Sequence, residues 1–346
     1  MPEASAPGKL IVIGEYAVLE GSPAIATAID VRARATVEVL DGPDSLLVDP
    51  VRNETFRFRL DAKHGLQWRG KSPGARGTIL EAVCATLQGR MPVDFPSLTI
   101  SLDTAAFYTV SDAASVKLGL GSSAAVLVAL VGTIIRATGM QIDSTDMLAI
   151  CCDAHRRFQG GQGSGVDVAS ALIGGTVGVR PTGTLAAPAV TALDWPNGLL
   201  MLPVWSGQSA STPELINRVK EYGERAPGAY HTRIEQLAKI ADAAHAAWLT
   251  RSVAGIIDAF SNYDVALRAM DRDGRLGINT ASHEALRGLS ERHGAVYKTS
   301  GAGGGDFGIA LADSRAVIDE LSQAFAAAGH RVLDNAIDAG GLTVVD

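Results

Sequence analysis

Cysteine, aromatic rings and charge are all sparse in this chain of 346 residues. There are three cysteines, Cys84, Cys151 and Cys152. The last two are adjacent and do not readily bridge one another. No C-x-x-C or Cys/His ligand spacing occurs, which argues against structural zinc. Buried free thiols in a reducing, cytoplasmic compartment are the expectation. Aromatic residues make up 5% and charged residues 19%. Lys and Arg number 30 against 37 Asp and Glu, a net charge of −7, and no dense basic run is present. A nucleic-acid face needs such a run, so no nucleic-acid partner is expected. Long apolar runs are missing as well. Ala124 to Ile135 is shorter than the ~20 residues of a membrane span and reads as a buried helix, so no membrane partner is expected. The start, MPEASAPGKL, lacks the basic and apolar regions of a signal peptide.

What is present is apolar bulk and glycine. Hydrophobic residues reach 47%, enough to offset the entropy cost of a large core, and the length favours two domains. Glycine contributes 38 of 346 residues, about 11% against a usual share of about 7%. Without a three-residue period this is not collagen, so the excess serves turns or close approach of backbone to another group.

A short apolar run predicts a buried strand at Leu10–Ile13, period-2 alternation predicts strands near Ala24–Leu40 and around Phe56–Leu60, and a further strand is read around Leu98–Leu102, with a turn at Asp41–Asp44. Helices are predicted at about Arg76–Leu87, at Ser123–Thr138, and from Ser144, read as an N-cap, to Phe158. Strands follow at Thr176–Val179 and Leu199–Val204. A helix starts at STPEL with Pro213 at its first position, and Ala-rich helices fill about 228–272. The remainder reads strand (Val296–Thr299), strand (Gly308–Leu311), helix (Ser314–Ala328), strand (Arg331–Asp334) and strand (Leu342–Val345). Pro181–Pro196 reads as a loop and is placed as the domain boundary, giving units 1–185 and 186–346. Runs of strands beside runs of helices favour an α+β class.

Four segments carry the chemistry. LGLGSSAAVLVAL, Leu118–Leu130, opens two glycines and two serines into an apolar helix, where NH groups and the helix dipole make an anion site. It is not a Walker A loop. It does fit G-x-G-x-x-A, so a dinucleotide fold is weighed, but no strand with a terminal acid follows at the right distance. Read alone, it serves equally as a tight turn. SGAGGGDFGIAL, Ser300–Leu311, is a flexible hairpin or a backbone wall against a ligand. GQGSGVDVASALIGG, Gly161–Gly175, sets Asp167 at a helix start, where capping is as good a reason as catalysis. SAPGKLIVIGEYAVLEGSPAIA, Ser5–Ala26, places Lys9 before a buried strand, where a lone lysine is usually solvated.

Together these segments resemble the GHMP kinases, the family of galactokinase, homoserine kinase, mevalonate kinase and phosphomevalonate kinase. PGKLIVIGEYAVLEG, KLGLGSSAA and SGAGGGD appear in the family's order, from Ala6 to about Leu311. The details are nearest the phosphomevalonate kinase branch: Tyr16 where mevalonate kinases usually carry His, AHRRFQGGQGSGVDVAS, WSGQSASTPEL, and Asp306, with Phe307 where Cys is common. The resemblance implies an N-terminal ribosomal-protein-S5-like domain and a C-terminal ferredoxin-like domain, with ATP and acceptor in the cleft between.

It also implies roles. Lys9 and Asp167 would be catalytic. Lys117, Gly119, Leu120, Gly121, Ser122, Ser123 and Ala124 would hold the ATP phosphates, with Ser122 or Ser123 on Mg²⁺. Tyr16, His155, Arg156, Gln162, Ser164, Gly165, Ser211, Thr212, Ala302 and Gly303 would line the acceptor site. Where mevalonate kinases place a Mg²⁺-binding Glu, this chain has His155, Arg156 and Arg157. These cations suit an acceptor that already carries phosphate, 5-phosphomevalonate, although a helix C-terminus favours cations in any case. Mevalonate kinase activity, or a non-catalytic ligand sensor on the same fold, are the alternatives. Trp68 and the Tyr108 region are the aromatic candidates for adenine, and a monomer or homodimer is expected.

Overall fold

The computed structural model describes residues 1–49, 53–61, 64–91, 95–111, 114–161, 163–183, 187–333 and 337–346. Strand β1, Glu3–Ile13, starts well before the apolar run that announced it, because Ala4 and Ala6 are also buried. It pairs antiparallel with β2, Ala24–Leu40. Val31, Ala33, Ala35 and Val37 of β2 face the core as their alternation predicted, while Val39 is exposed.

The expected turn at 41–44 leads into a strand the sequence did not announce, β3, Ser45–Asp49. After β4, Glu54–Asp61, another follows, β5, Gly65–Arg69, whose side chains are only half-buried and show no alternation. Helix α1, Thr78–Leu87, precedes β6, Ser97–Asp103, which inserts antiparallel to β2 and parallel to β3. Strands β7, Tyr108–Ser111, and β8, Ala114–Lys117, form a separate hairpin. Then come α2, Ser122–Thr138, α3, Ser144–Phe158, α4, Val166–Ile173, and β9, Thr176–Arg180. The N-cap of α3 is Asp143, whose carboxylate accepts from the Asp146 NH at 2.7 Å, and not Ser144 as expected. Asp143 wins because its side chain reaches the free NH three residues on.

The stretch read as loop, Pro181–Pro196, contains β10, Ala189–Leu193, antiparallel to β9. A boundary drawn between 185 and 186 lies outside the described residues. The first sheet therefore runs β10-β9-β2-β6-β3-β4-β5, with β1 also on β2. Leu80, Val83, Leu127, Leu130 and Ile150 from the helices pack on Val37, Phe56, Phe58 and Ile100 from this sheet.

The second half begins with β11, Leu200–Trp205, followed by α5, Thr212–Arg225, α6, Pro227–Leu249, α7, Val253–Gly274, and α8, Ala281–Arg292. Helix α8 had no sequence prediction, and Pro213 falls one position inside α5. Strand β12, Val296–Thr299, strand β13, Phe307–Ala312, and helix α9, Arg315–Ala327, complete it. The predicted strand at Arg331–Asp334 is reduced to one antiparallel bridge, Val332 to Val204, and Asp334 lies outside the described residues. With that bridge the order is 332-β11-β13-β12, the βαββαβ arrangement of a ferredoxin-like unit. The last strand, β14, Thr343–Val345, returns to pair with β1.

One core joins the halves, with Leu10, Ile29 and Val126 packed among Leu237, Phe260, Leu267 and Ile309. The glycine run before β13 is held from behind by His283, which is buried. Its Nε2 donates to the Gly305 carbonyl at 2.9 Å, so its Nδ1 accepts from the Tyr297 hydroxyl at 2.8 Å. Burial lowers the His283 pKa to about 4. A lowered folded pKa means that unfolding takes up a proton below about pH 6.5, so this contribution is complete above that pH and is lost as pH falls toward 4. Urea unfolding at about pH 7 and about pH 5 should show wild type losing on the order of 2 kcal/mol more than His283→Gln. An equal loss in both proteins would assign the acid sensitivity to another group.

Candidate active site

The site is built where β1, the glycine loop before α2, the start of α4 and the glycine run before β13 converge. The Lys9 NH donates to the Leu120 carbonyl at 2.9 Å, tying β1 to the loop. Gly8 makes this approach possible, since a Cβ there would lie 2.7 Å from the Leu120 oxygen. Gly119 and Gly121 have φ of 73° and 80°, the left-handed region open to glycine, and Gly121 leads directly into α2. The Lys9 side chain runs beside Gly121.

Lys9 is buried, contrary to the solvated lysine usual at a strand edge, with its Nζ 3.5 Å from Asp167 Oδ1. Asp167 sits in the first turn of α4, whose N-cap is Gly165, and its carboxylate is directed to Lys9. Capping therefore does not account for it. Lys9 and Asp167 face a cavity of about 160 Å³, also lined by Tyr16, His155, Ser164, Gly165, Thr212 and Ala302. The Tyr16 hydroxyl donates to the Ala302 carbonyl, and burial raises its pKa, so the phenol keeps its proton.

Other expected residues take a different role or place. His155 was expected as a cation for the acceptor. Its Nε2 instead lies 3.3 Å from Ser123 Oγ, and burial lowers its pKa, so it is a neutral partner of the loop serine. Arg157 bonds Asp153 at 2.9 Å, Arg156 lies 4.0 Å from the same carboxylate, and neither is among the residues that line the cavity. Gly303 faces protein, with Ile278 filling its Cβ position. Ser211 stands at the N-cap of α5 without making a side-chain cap bond. Lys117 is exposed at the end of β8, its carbonyl accepting from Ser209 Oγ. Gln162 lies outside the described residues. Trp68 donates to Glu81 at 2.6 Å and packs edge-on against Phe58, while Tyr108 is exposed on the hairpin.

Two acids were missed as site residues. Glu15, inside the first motif, is buried on the cavity wall. Its Oε1 pairs with Lys298 and accepts from the Gly301 NH at 3.2 Å. The Tyr263 hydroxyl bonds the Glu15 carbonyl at 2.6 Å. Asp306 places its carboxyl on Gly119 of the loop. Both lie in motifs legible in the sequence, but Lys298 is 283 residues from Glu15 and Gly119 lies in a different motif from Asp306.

Among the described residues no group of three or more His, Cys, Asp or Glu side chains could hold a metal ion alone. The hydroxyls of Ser122 and Ser123 at the start of α2, with the Asp306 carboxyl nearby, fit a hard cation that keeps most of its shell from ligand phosphates and water.

The family model for the GHMP kinases N terminal domain matches residues 79–175. Phosphomevalonate kinase from Streptomyces sp. (strain CL190) is 29% identical over 344 residues, 91% of this chain and 90% of that protein. Mevalonate kinase from Thermococcus sibiricus is 27% identical, covering 99% of this chain and 98% of that protein. Among solved structures, the Lin0012 protein from Listeria innocua superposes with a TM-score of 0.87 at 21% identity, covering 100% of this chain and 99% of that one. Streptococcus pneumoniae phosphomevalonate kinase in complex with phosphomevalonate and AMPPNP gives 0.77 at 19% identity, covering 97% and 100%.

The Glu15–Lys298 pair generates a stability test. Lys298→Met leaves a buried carboxylate unpaired and should cost about 3–5 kcal/mol in urea unfolding. Adding Glu15→Gln should recover most of that loss. A double variant as unstable as the sum of the two single ones would show that the pair is not coupled.

Proposed function

We propose that this chain, which carries the GHMP kinase N-terminal domain and the GHMP kinase fold, transfers the γ-phosphoryl group of MgATP to the phosphate of 5-phosphomevalonate, giving the 5-diphosphate. The observation that carries the reading is the Lys9–Asp167 pair, which faces one cavity beside the glycine loop and Ala302. Similarity to a phosphomevalonate kinase over nine-tenths of the chain supports it.

The acceptor's phosphate oxygen attacks the γ-phosphorus, and the bond to the β–γ bridging oxygen breaks, leaving ADP. A phosphate nucleophile is already ionised near neutral pH, so no strong base is needed. Position and charge neutralisation dominate. Lys9 sits where its ammonium would bridge acceptor and γ-phosphate and stabilise the charge that spreads onto the transferred group. Asp167, 3.5 Å away, holds that ammonium in place and takes any residual proton. The NH groups at the start of α2 receive the phosphates of the nucleotide. Magnesium bound with the nucleotide supplies further charge neutralisation there.

A second reading has its own observation. His155 is neutral and Arg157 is paired with Asp153, so fewer cations face the acceptor than the sequence implied. This favours a less charged acceptor, mevalonate, and a mevalonate kinase is also similar over nearly the whole chain.

ADP release measured with mevalonate, its 5-phosphate, homoserine and galactose should be greatest with the 5-phosphate. Release with mevalonate alone would establish the second reading, and release with none would remove both. Lys9→Met and Asp167→Asn should each lower turnover by about 10²–10³-fold with an unchanged melting temperature. Near-normal turnover in either variant would take that residue out of the mechanism.

A further inference from the structure

Asp306 closes the SGAGGGD run, and the fold fixes it against the opposite side of the site. Its backbone is left-handed, with φ of 57°, a region that Asp and Asn tolerate better than other side chains. Neighbours hold it there. The Asp306 NH donates to the Gln208 carbonyl, and the Ser206 NH to the Asp306 carbonyl, both at 2.8 Å. The preceding residue, Gly305, is pinned by His283 and has the Gln208 carbonyl 2.8 Å from where a Cβ would stand.

This geometry drives the carboxyl onto the glycine loop. A Cβ on Gly119 would lie 2.1 Å from Asp306 Cγ and 2.2 Å from Oδ2. Oδ1 accepts from the Ala210 NH at 3.2 Å, and among the described residues no cation lies within ion-pair distance of the carboxylate. Lys9 and Lys117 act on it from further away, and burial raises its pKa.

A carboxylate in contact with a loop that cradles polyphosphate repels that polyphosphate. A divalent cation arriving with the nucleotide reverses the sign, because such a cation takes oxygen ligands from carboxylates and phosphates together. The acids of α3 lie beside arginines, Asp146 by Arg90 and Asp153 by Arg157, and Asp167 pairs with Lys9, so Asp306 is the carboxylate in contact with the loop that has no ion-pair partner among the described residues. We propose that Asp306 makes the glycine loop selective for the metal complex of a nucleoside polyphosphate over the free polyphosphate, meeting the cation directly or through water. The inference rests on the nucleotide reading of the loop given above.

Calorimetric titration of AMPPNP into wild type and Asp306→Asn, once with Mg²⁺ and once with EDTA, tests it without turnover. Asn suits the left-handed backbone and keeps an oxygen for the Ala210 NH, so the fold should survive, as a matching melting temperature would show. Wild type should bind about tenfold or more tightly with Mg²⁺ than with EDTA. In Asp306→Asn, binding in EDTA should tighten and the ratio fall below about threefold. An unchanged ratio, or equal weakening under both conditions, would reduce Asp306 to a structural role and overturn the inference. No binding by wild type under either condition would overturn the nucleotide reading itself, and the inference with it.

Discussion

The site depends on a seam between the first strand and the glycine run that precedes β13. At its centre Lys298, fully buried, binds Glu15 and the Thr299 carbonyl while lying over the rings of Phe260 and Tyr263. Beside it, Ser300 Oγ accepts from the Ile11 NH and donates to the Ile11 carbonyl, both at 3.0 Å. These contacts bring Gly301 and Ala302 up to Lys9 and Tyr16, although the two segments lie almost 300 residues apart. A charge pair buried in this way contributes more to position than to net stability. Its value here is that it fixes one register between two halves of the chain.

That seam gives the surplus glycine a more varied meaning than its composition implied. The expectation was close approach to anionic ligands, and Gly121 and Gly165 stand at the N-caps of α2 and α4. Others admit protein instead. Gly8 admits the Leu120 carbonyl, Gly303 admits Ile278, and Gly308 faces the Tyr297 hydroxyl. A missing Cβ announces that something comes close. It does not say whether that something is a phosphate or another part of the chain.

Charge shows the same division. For a chain of net −7, anion binding would need cations or NH groups concentrated locally. The basic triplet His155, Arg156 and Arg157 looked like such a concentration. Successive residues on a helix point about 100° apart, so only His155 turns toward the cavity, and there burial leaves it neutral. Lys9, which its own segment leaves as an edge lysine and the family resemblance makes catalytic, is a cation that the fold delivers to the cavity.

Local pattern was enough for the elements whose burial alternates within a single strand or helix. The full span of β2, the apolar α2 and the glycine-led starts of α2 and α4 were legible because each is specified by residues adjacent in the chain. The order of three motifs was likewise enough to show the resemblance to the GHMP kinases, whose N-terminal domain model matches residues 79–175. The half-exposed β5, strand β10 hidden in a stretch read as loop, and the strand near 331 reduced to a bridge were not legible, because their pairing is decided by neighbours far away in sequence. The same holds for the roles of Glu15, His155 and Asp306. Each has an ordinary side chain whose charge and direction are set by burial and by partners on other elements of the chain, and only the folded chain brings those partners within reach.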